Sequence, residues 1–312
     1  MAKYIDLRCD FGFKFCMQDE TVMKSFLNAI LEGETEKITS VKFENVEIPR
    51  TTKEQRGVTF DLLCTTEHGE TILIEMQNSS QRYFKTRAMF YIYKLMRKQI
   101  VRGDKWEKMQ NDISRIFGIF ILGERNNLLN KPITRTSVFD RDEKIEFWDR
   151  NHNFFLSLPL FKLDKAKITI KDIWMYFFNN LGTMEKIDPS VYERADEGLL
   201  KLLEKAKVAA LSEEEYDQYE ASMKALEDEI DMEEHGYNRG LEMGLEEGRK
   251  QGIKQGIEQG IEQGIKKGRI EGLQEGSHTH AIEVAKLMLQ HNKPIEEIIL
   301  FSGLSKEEIE AI

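Results

Sequence analysis

Along residues 1–182 the apolar positions switch between the roughly 3.6-residue spacing of a helix and the two-residue spacing of a strand. Phe13, Phe15, Phe26, Leu27 and Ile30 predict a helical start, with Asp10 placed to cap it and Gly33 to end it. The stretch ITSVKFENVEIP (38–49) predicts a strand with a break. Two short apolar runs follow, VTFDLLC (58–64) and TILIEMQ (71–77), and the polar stretch between them contains His68-Gly69. That pattern predicts a hairpin. Ser79 then caps a helix reaching to about Arg102, and ISRIFGIFIL (113–122) reads as a central strand covered on both faces. ITRTSVFDRDEKIEF (133–147) and HNFFLSLPLF (152–161) predict a further pair of strands. From Lys162 to Ala221 the pattern turns helical, aromatic-rich at Trp174–Phe178 and then strongly charged.

Beyond that, glycine occupies every fourth position from Gly236 to Gly276. Leu241, Leu245, Ile253, Ile257, Ile261, Ile265 and Leu273 each follow one of these glycines, with Arg249 and Arg269 interrupting. Collagen needs glycine every third residue and is excluded. A four-residue step overshoots a helical turn by about 40°. Each interior glycine costs about 1 kcal/mol relative to alanine, so an isolated helix is not expected here. Two readings stay open: a helix whose glycines let a partner helix approach closely, and a flexible tether. The ending, AIEVAKLMLQ (281–290), PIEEIIL (294–300) and SKEEIEAI (305–312), predicts short helices spaced like a helix-turn-helix. From Pro294 onward Lys306 is the only basic residue against five glutamates, so a helical cap or partner-docking element fits better than a DNA reader.

Composition changes this picture in four ways. The 312 residues are 40% hydrophobic, enough for one domain with a long appendage or for two domains. No apolar run approaches the roughly 20 residues of a membrane span and the N-terminus carries no signal-like stretch, so a cytoplasmic protein is expected. Cys9, Cys16 and Cys64 have no paired ligand spacing and read as buried or incidental thiols, while His278 and His280 read as a solvated loop beside the glycines. The net charge of −10 is unevenly divided: residues 1–182 hold 29 Lys and Arg against 25 Asp and Glu, and residues 183–312 hold 16 against 30. Such asymmetry suggests a nucleic-acid-facing part joined to an acidic appendage.

The candidate chemistry lies in the hairpin. Asp61 and Glu75 each interrupt an apolar strand pattern, where a carboxylate is costly unless paired, hydrogen-bonded or metal-bound. Glu75 and Gln77 share a face. A turn near Gly69 lets Asp61 and Glu75 converge into a site suited to Mg2+, with Mn2+ as a substitute. The plain alternative is a pair of solvated acids on an exposed strand edge. Immediately downstream, residues 82–108 carry nine basic residues against two acidic ones, with tyrosine and phenylalanine interleaved. Arg82, Lys85, Arg87, Tyr91, Lys94, Arg97 and Lys98 are therefore the candidate DNA contacts, and the alternative is a packing helix with a solvated basic face.

The order Asp10-Phe11-Gly12-Phe13-Lys14, Phe60-Asp61-Leu62, Ile74-Glu75-Met76-Gln77, the Arg87/Tyr91 helix, ISRIFGIFIL, the glycine repeat and the IEEIILFSGLSKEEI ending resembles the Rpn family. These are recombination-promoting nucleases, or transposase-like proteins, of the PD-(D/E)XK superfamily. The resemblance implies an α/β fold: a restriction-endonuclease-like mixed sheet flanked by helices, followed by an α-helical glycine-repeat tail. The charge step, which marks a boundary near Gly182, and the glycine repeat divide the chain into a nuclease-like domain (1–182), a charged helical connector (183–235), the repeat (236–280) and a small C-terminal helical element (281–312). The resemblance further implies DNA phosphodiester hydrolysis linked to recombination or mobile elements, with Asp61 and Glu75 as metal ligands and the Met76 carbonyl as a third. Gln77 stands where the wider superfamily has lysine and would orient water or phosphate, with Asp10 and Lys14 as accessory residues. The rival class is a non-catalytic DNA-binding or homo-oligomeric assembly protein with a vestigial nuclease core. A ribonuclease is a weaker rival.

Overall fold

The computed structural model describes residues 3–48, 57–78, 83–100, 103, 105, 107, 112–124 and 129–312. They fall into two compact units, Met1–His235 and Gly236–Ile312.

The first unit is built on a six-stranded sheet in the order β1-β4-β5-β6-β8-β7. The strands are β1 (Val41–Phe43), β4 (Leu62–Thr66), β5 (Thr71–Gln77), β6 (Ile116–Leu122), β7 (Ile133–Phe139) and β8 (Glu146–Ser157). β5–β6 and β6–β8 pair in parallel and the outer pairs are antiparallel, so the sheet is mixed. β6 is buried at every position, as its unbroken apolar run requires of a strand covered on both faces. β2 (Glu47–Ile48) and β3 (Val58–Thr59) form a separate two-stranded ribbon, so the run 58–64 breaks at Phe60-Asp61 instead of continuing as one strand. The β4–β5 turn places Gly69 at φ +80°, a conformation glycine adopts without a Cβ clash.

Helices cover the two faces unequally. On one face Leu62, Ile74, Ile119 and Phe154 pack with α1 (Asp10–Met17), α2 (Glu20–Ile30), α4 (Ile170–Asn180) and α6 (Glu197–Lys205), around Phe26, Trp174 and Phe178. On the other, α3 (Phe84–Lys98) lays Phe84, Ala88, Ile92 and Leu95 over Leu73 and Phe120. A Cβ on Gly118 of β6 would stand 2.8 Å from the Ile92 side chain, so α3 approaches the sheet closely there.

Three expected details change. Asp10 is not a cap: Cys9 holds that place, its Sγ accepting from the Gly12 N–H at 3.3 Å, and the expected single helix breaks at Gln18 because the Asp19 carboxylate caps α2. Ser79 and Arg102 lie outside the described residues, and within them α3 runs Phe84–Lys98 without a side-chain cap. The charge step near Gly182 marks a change of surface and not of packing. Val191 on α5 (Pro189–Tyr192), Leu199 and Leu202 on α6, and Tyr219 and Leu226 all lie in the same core as the sheet.

Tyr219 and Leu226 belong to α7 (Glu213–Gln290), whose start is held by reciprocal bonds between Ser212 and Glu215. In the second unit α7 continues from Gly236, and its side chains are exposed through His280. His278 and His280 are therefore exposed helical residues, not a loop. AIEVAKLMLQ is the end of α7 instead of a separate helix; α8 (Ile295–Ser302) and α9 (Lys306–Glu310) fold against it around Ala285, Ile298, Leu304 and Ile309.

Candidate active site

The β4–β5 register pairs Leu62 with Ile74, which sets Asp61 opposite Glu75 at the end of the hairpin. The Asp61 N–H donates to Glu75 Oε1 at 3.1 Å, and the Met76 N–H donates to Asp61 Oδ2 at 2.8 Å. Each acid is thus fixed by a main-chain donor of the opposing segment, and each keeps a second carboxylate oxygen. Glu75 is only 3% exposed and β5 is an interior strand, so solvated acids on a sheet edge are excluded. Burial, and then the charge of Asp61, push the Glu75 carboxyl up to about 8. Asp61 is also raised, first by burial, while the Met76 N–H and the nearby Lys14 pull it back.

Two cations act on this pair from different helices. Lys14 on α1 is ion-paired with Asp10 at 2.6 Å, and its charge favours the ionised form of both Asp61 and Glu75. Arg87 on α3 does the same, with its guanidinium 5.8 Å from the centre of the Tyr91 ring. Tyr91 meets Phe60 edge-on at 5.4 Å, and its hydroxyl titrates above the usual tyrosine range because of burial and the Glu75 charge. Gln77 donates from Nε2 to the Met76 carbonyl at 2.8 Å, which leaves its buried Oε1 without a partner among the described residues. Burial raises the thiols of Cys9 to about 11 and of Cys16 and Cys64 to about 12, which keeps them protonated and unreactive.

A cavity of about 230 Å³ opens beside the pair, lined by Arg8, Asp10, Asp61, Gln77 and Asn78, with Glu229 of α7 among its wall. Arg8 and Asn78 carry no sequence signal of their own. Arg8 makes two bonds to the buried Asp6 carboxylate, at 2.7 and 3.1 Å, and Asn78 Nδ2 donates to the Arg8 carbonyl at 2.6 Å. The α7 wall is fixed by contacts more than two hundred residues apart in sequence, such as the Asp6 N–H on the Tyr219 hydroxyl at 3.2 Å.

Not every candidate converges. Lys85, Arg97 and Lys98 are exposed on α3. Arg97 lies about 15 Å along the helix from Arg87, by the 1.5 Å rise per residue. Arg82 lies outside the described residues. Among those residues no group of three or more His, Cys, Asp or Glu is placed to hold a metal, so a cation here would rest on two carboxylates and a carbonyl. That donor set suits magnesium, which keeps several waters and needs few protein ligands. No helix of the described residues is long and apolar enough to cross a membrane.

No curated protein and no solved structure matches the chain. A family model does, over residues 7–235, a span that takes in the sheet, both acids, Lys14, Arg87 and the α7 wall of the cavity. The chain belongs to the PD-(D/E)XK nuclease family transposases.

Proposed function

We propose that this protein is a magnesium-dependent endonuclease that hydrolyses phosphodiester bonds in DNA. PD-(D/E)XK nucleases generally use divalent metal ions. The observation that carries the reading is the clasped, buried Asp61–Glu75 pair, two carboxylates whose mutual repulsion already raises Glu75. Asp61, Glu75 and the Met76 carbonyl would hold the ion, with Mn2+ as a substitute. A magnesium ion bound there would activate a water and offset charge developing on the phosphate.

The residues of the chain supply the rest. Gln77 is neutral where the superfamily has lysine, so its Oε1, without a partner among the described residues, acts as an acceptor that orients water. The missing positive charge comes from Lys14 and Arg87, whose fields already reach both acids. The exposed cations of α3 bind the phosphate backbone. The family description supports a transposase-related role. Supercoiled plasmid incubated with purified protein tests the reading: nicking with magnesium that a chelator stops is expected, and magnesium-independent or absent nicking rejects it.

We also infer that residues 236–276 assemble with copies of themselves. Nothing lies within 4 Å of a Cβ built on any of the eleven repeat glycines, and the apolar residues that follow them are exposed. An apolar period longer than 3.6 residues winds right-handed about the helix, so partners following the stripe would cross with that hand.

A further inference from the structure

A second concavity of about 430 Å³ lies along α3, lined by Val58, Tyr83, Thr86, Arg87, Phe90 and Tyr91. That volume falls in the range of small-molecule sites, roughly 300–1,000 Å³. Tyr83, Arg87, Phe90 and Lys94 follow one another at three- and four-residue steps, so they form one stripe on the helix. The stripe alternates ring and cation. Tyr83 is 70% and Phe90 37% exposed, Arg87 lies by the Tyr91 ring, and Lys94 Nζ sits 5.4 Å from the centre of the Phe90 ring.

The cleft adjoins the acid pair through Arg87 and the Val58–Asp61 segment. Val58 and Phe60 lead directly into Asp61, and Phe60 packs on Tyr91. Arg87 both lines the cleft and acts on the two carboxylates. Arg87 lines the cleft, Lys94 borders Phe90, and α3 has no Asp or Glu, so the cleft suits a group flanked by negative charge. Exposed rings and cations beside a phosphate-directed surface suit a nucleobase, because every base has a face to stack and a phosphate at either side.

Resting on the nuclease reading above, we propose that this cleft holds one unpaired base of the strand being cut, stacked against Tyr83 and Phe90. In a duplex that face is hidden by neighbouring pairs, and extruding a base is easiest at a mismatch or in single-stranded DNA. The protein therefore binds single-stranded DNA, or a duplex with an unpaired base, in preference to intact duplex.

The test is binding in the presence of a chelator, so that cleavage plays no part. The probe is a short oligonucleotide carrying 2-aminopurine, used single-stranded and as a fully paired duplex. The wild-type chain is expected to bind the single strand more tightly and to quench its emission by stacking. Tyr83→Ala with Phe90→Ala should weaken single-strand binding about ten-fold or more and abolish the quenching, while duplex binding changes by less than about two-fold. Tyr83→Phe with Phe90→Tyr should retain both. Equal losses on both forms, or no loss, overturn the proposal and leave the cleft to a protein partner. Magnesium-dependent nicking, measured separately, then stands unaffected. No binding of either probe at low salt overturns the nucleic-acid reading as well.

Discussion

At the end of the β4–β5 hairpin, carboxylates sit where apolar residues are expected; along residues 241–273 of α7, leucine and isoleucine sit where polar residues are expected. Both placements are unfavourable, for opposite reasons. A buried acid loses its water, and an exposed aliphatic stripe on a glycine-rich helix gains neither burial nor propensity, the glycines alone costing roughly 10 kcal/mol relative to alanine. The first is compensated within the unit by two main-chain donors and by Lys14 and Arg87. The second has no compensation within 4 Å of its glycines. A misplaced residue that the fold supports locally points to chemistry. One that the fold leaves unsupported points to another macromolecule.

The largest effect expected on the hairpin side is loss of the reaction. Asp61→Ala and Glu75→Ala should each lower magnesium-dependent plasmid nicking by more than about a hundred-fold, with circular dichroism unchanged. Full activity in either variant would remove the carboxylates from the site. On the helix side, light scattering should give full-length protein at least twice the molar mass of its monomer. Truncation after His235 and the triple variant Gly252→Leu, Gly256→Leu, Gly260→Leu should both return monomers that still nick, because neither change touches the acid pair. A monomeric full-length chain would make the segment a tether.

A smaller effect separates the two regions by pH. Glu75 has a folded pKa of about 8, above the ordinary glutamate value, so the folded state keeps a proton that the unfolded state releases. Its contribution to stability is complete below the ordinary glutamate pKa and is lost as pH rises toward 8. Urea unfolding without metal should therefore show stability falling by on the order of 1–3 kcal/mol between pH 5 and 8. Glu75→Gln should flatten that slope, and added magnesium should stabilise more at pH 8 than at pH 6. A slope unchanged by Glu75→Gln would mean that the acid is not held protonated. The smallest effect concerns α3: Lys85→Ala with Arg97→Ala should reduce the slope of log affinity against log salt by about 0.9 for each phosphate that the variant no longer neutralises. An unchanged slope would make this face a solvated surface.

The hairpin was legible because its signals are local: two apolar runs, a glycine between them, and an acid inside each. The all-buried β6 was legible for the same reason. Arg8, Asn78 and the α7 wall were not, since their places depend on contacts such as Asp6 with Tyr219 and Phe11 with Ser222 that no periodicity records. The Asp10 cap failed by one residue because a cysteine sulfur accepts the bond an oxygen usually takes. Charge misplaced a boundary at Gly182 because it describes surfaces, and the helices beyond it bury aliphatic faces in the same core.

The reciprocal bonds between Asp61 and the Glu75-Met76 segment bear on how this chain tolerates length changes. A residue inserted beside His68 at the hairpin tip alters only the turn. A residue inserted between Leu62 and Thr66 slips β4 against β5, turns its side chains to the opposite face and draws Asp61 away from both of its partners. Length at the turn is therefore unconstrained by the acid pair, whereas the spacing from Asp61 to Thr66 is fixed by the two bonds that hold it.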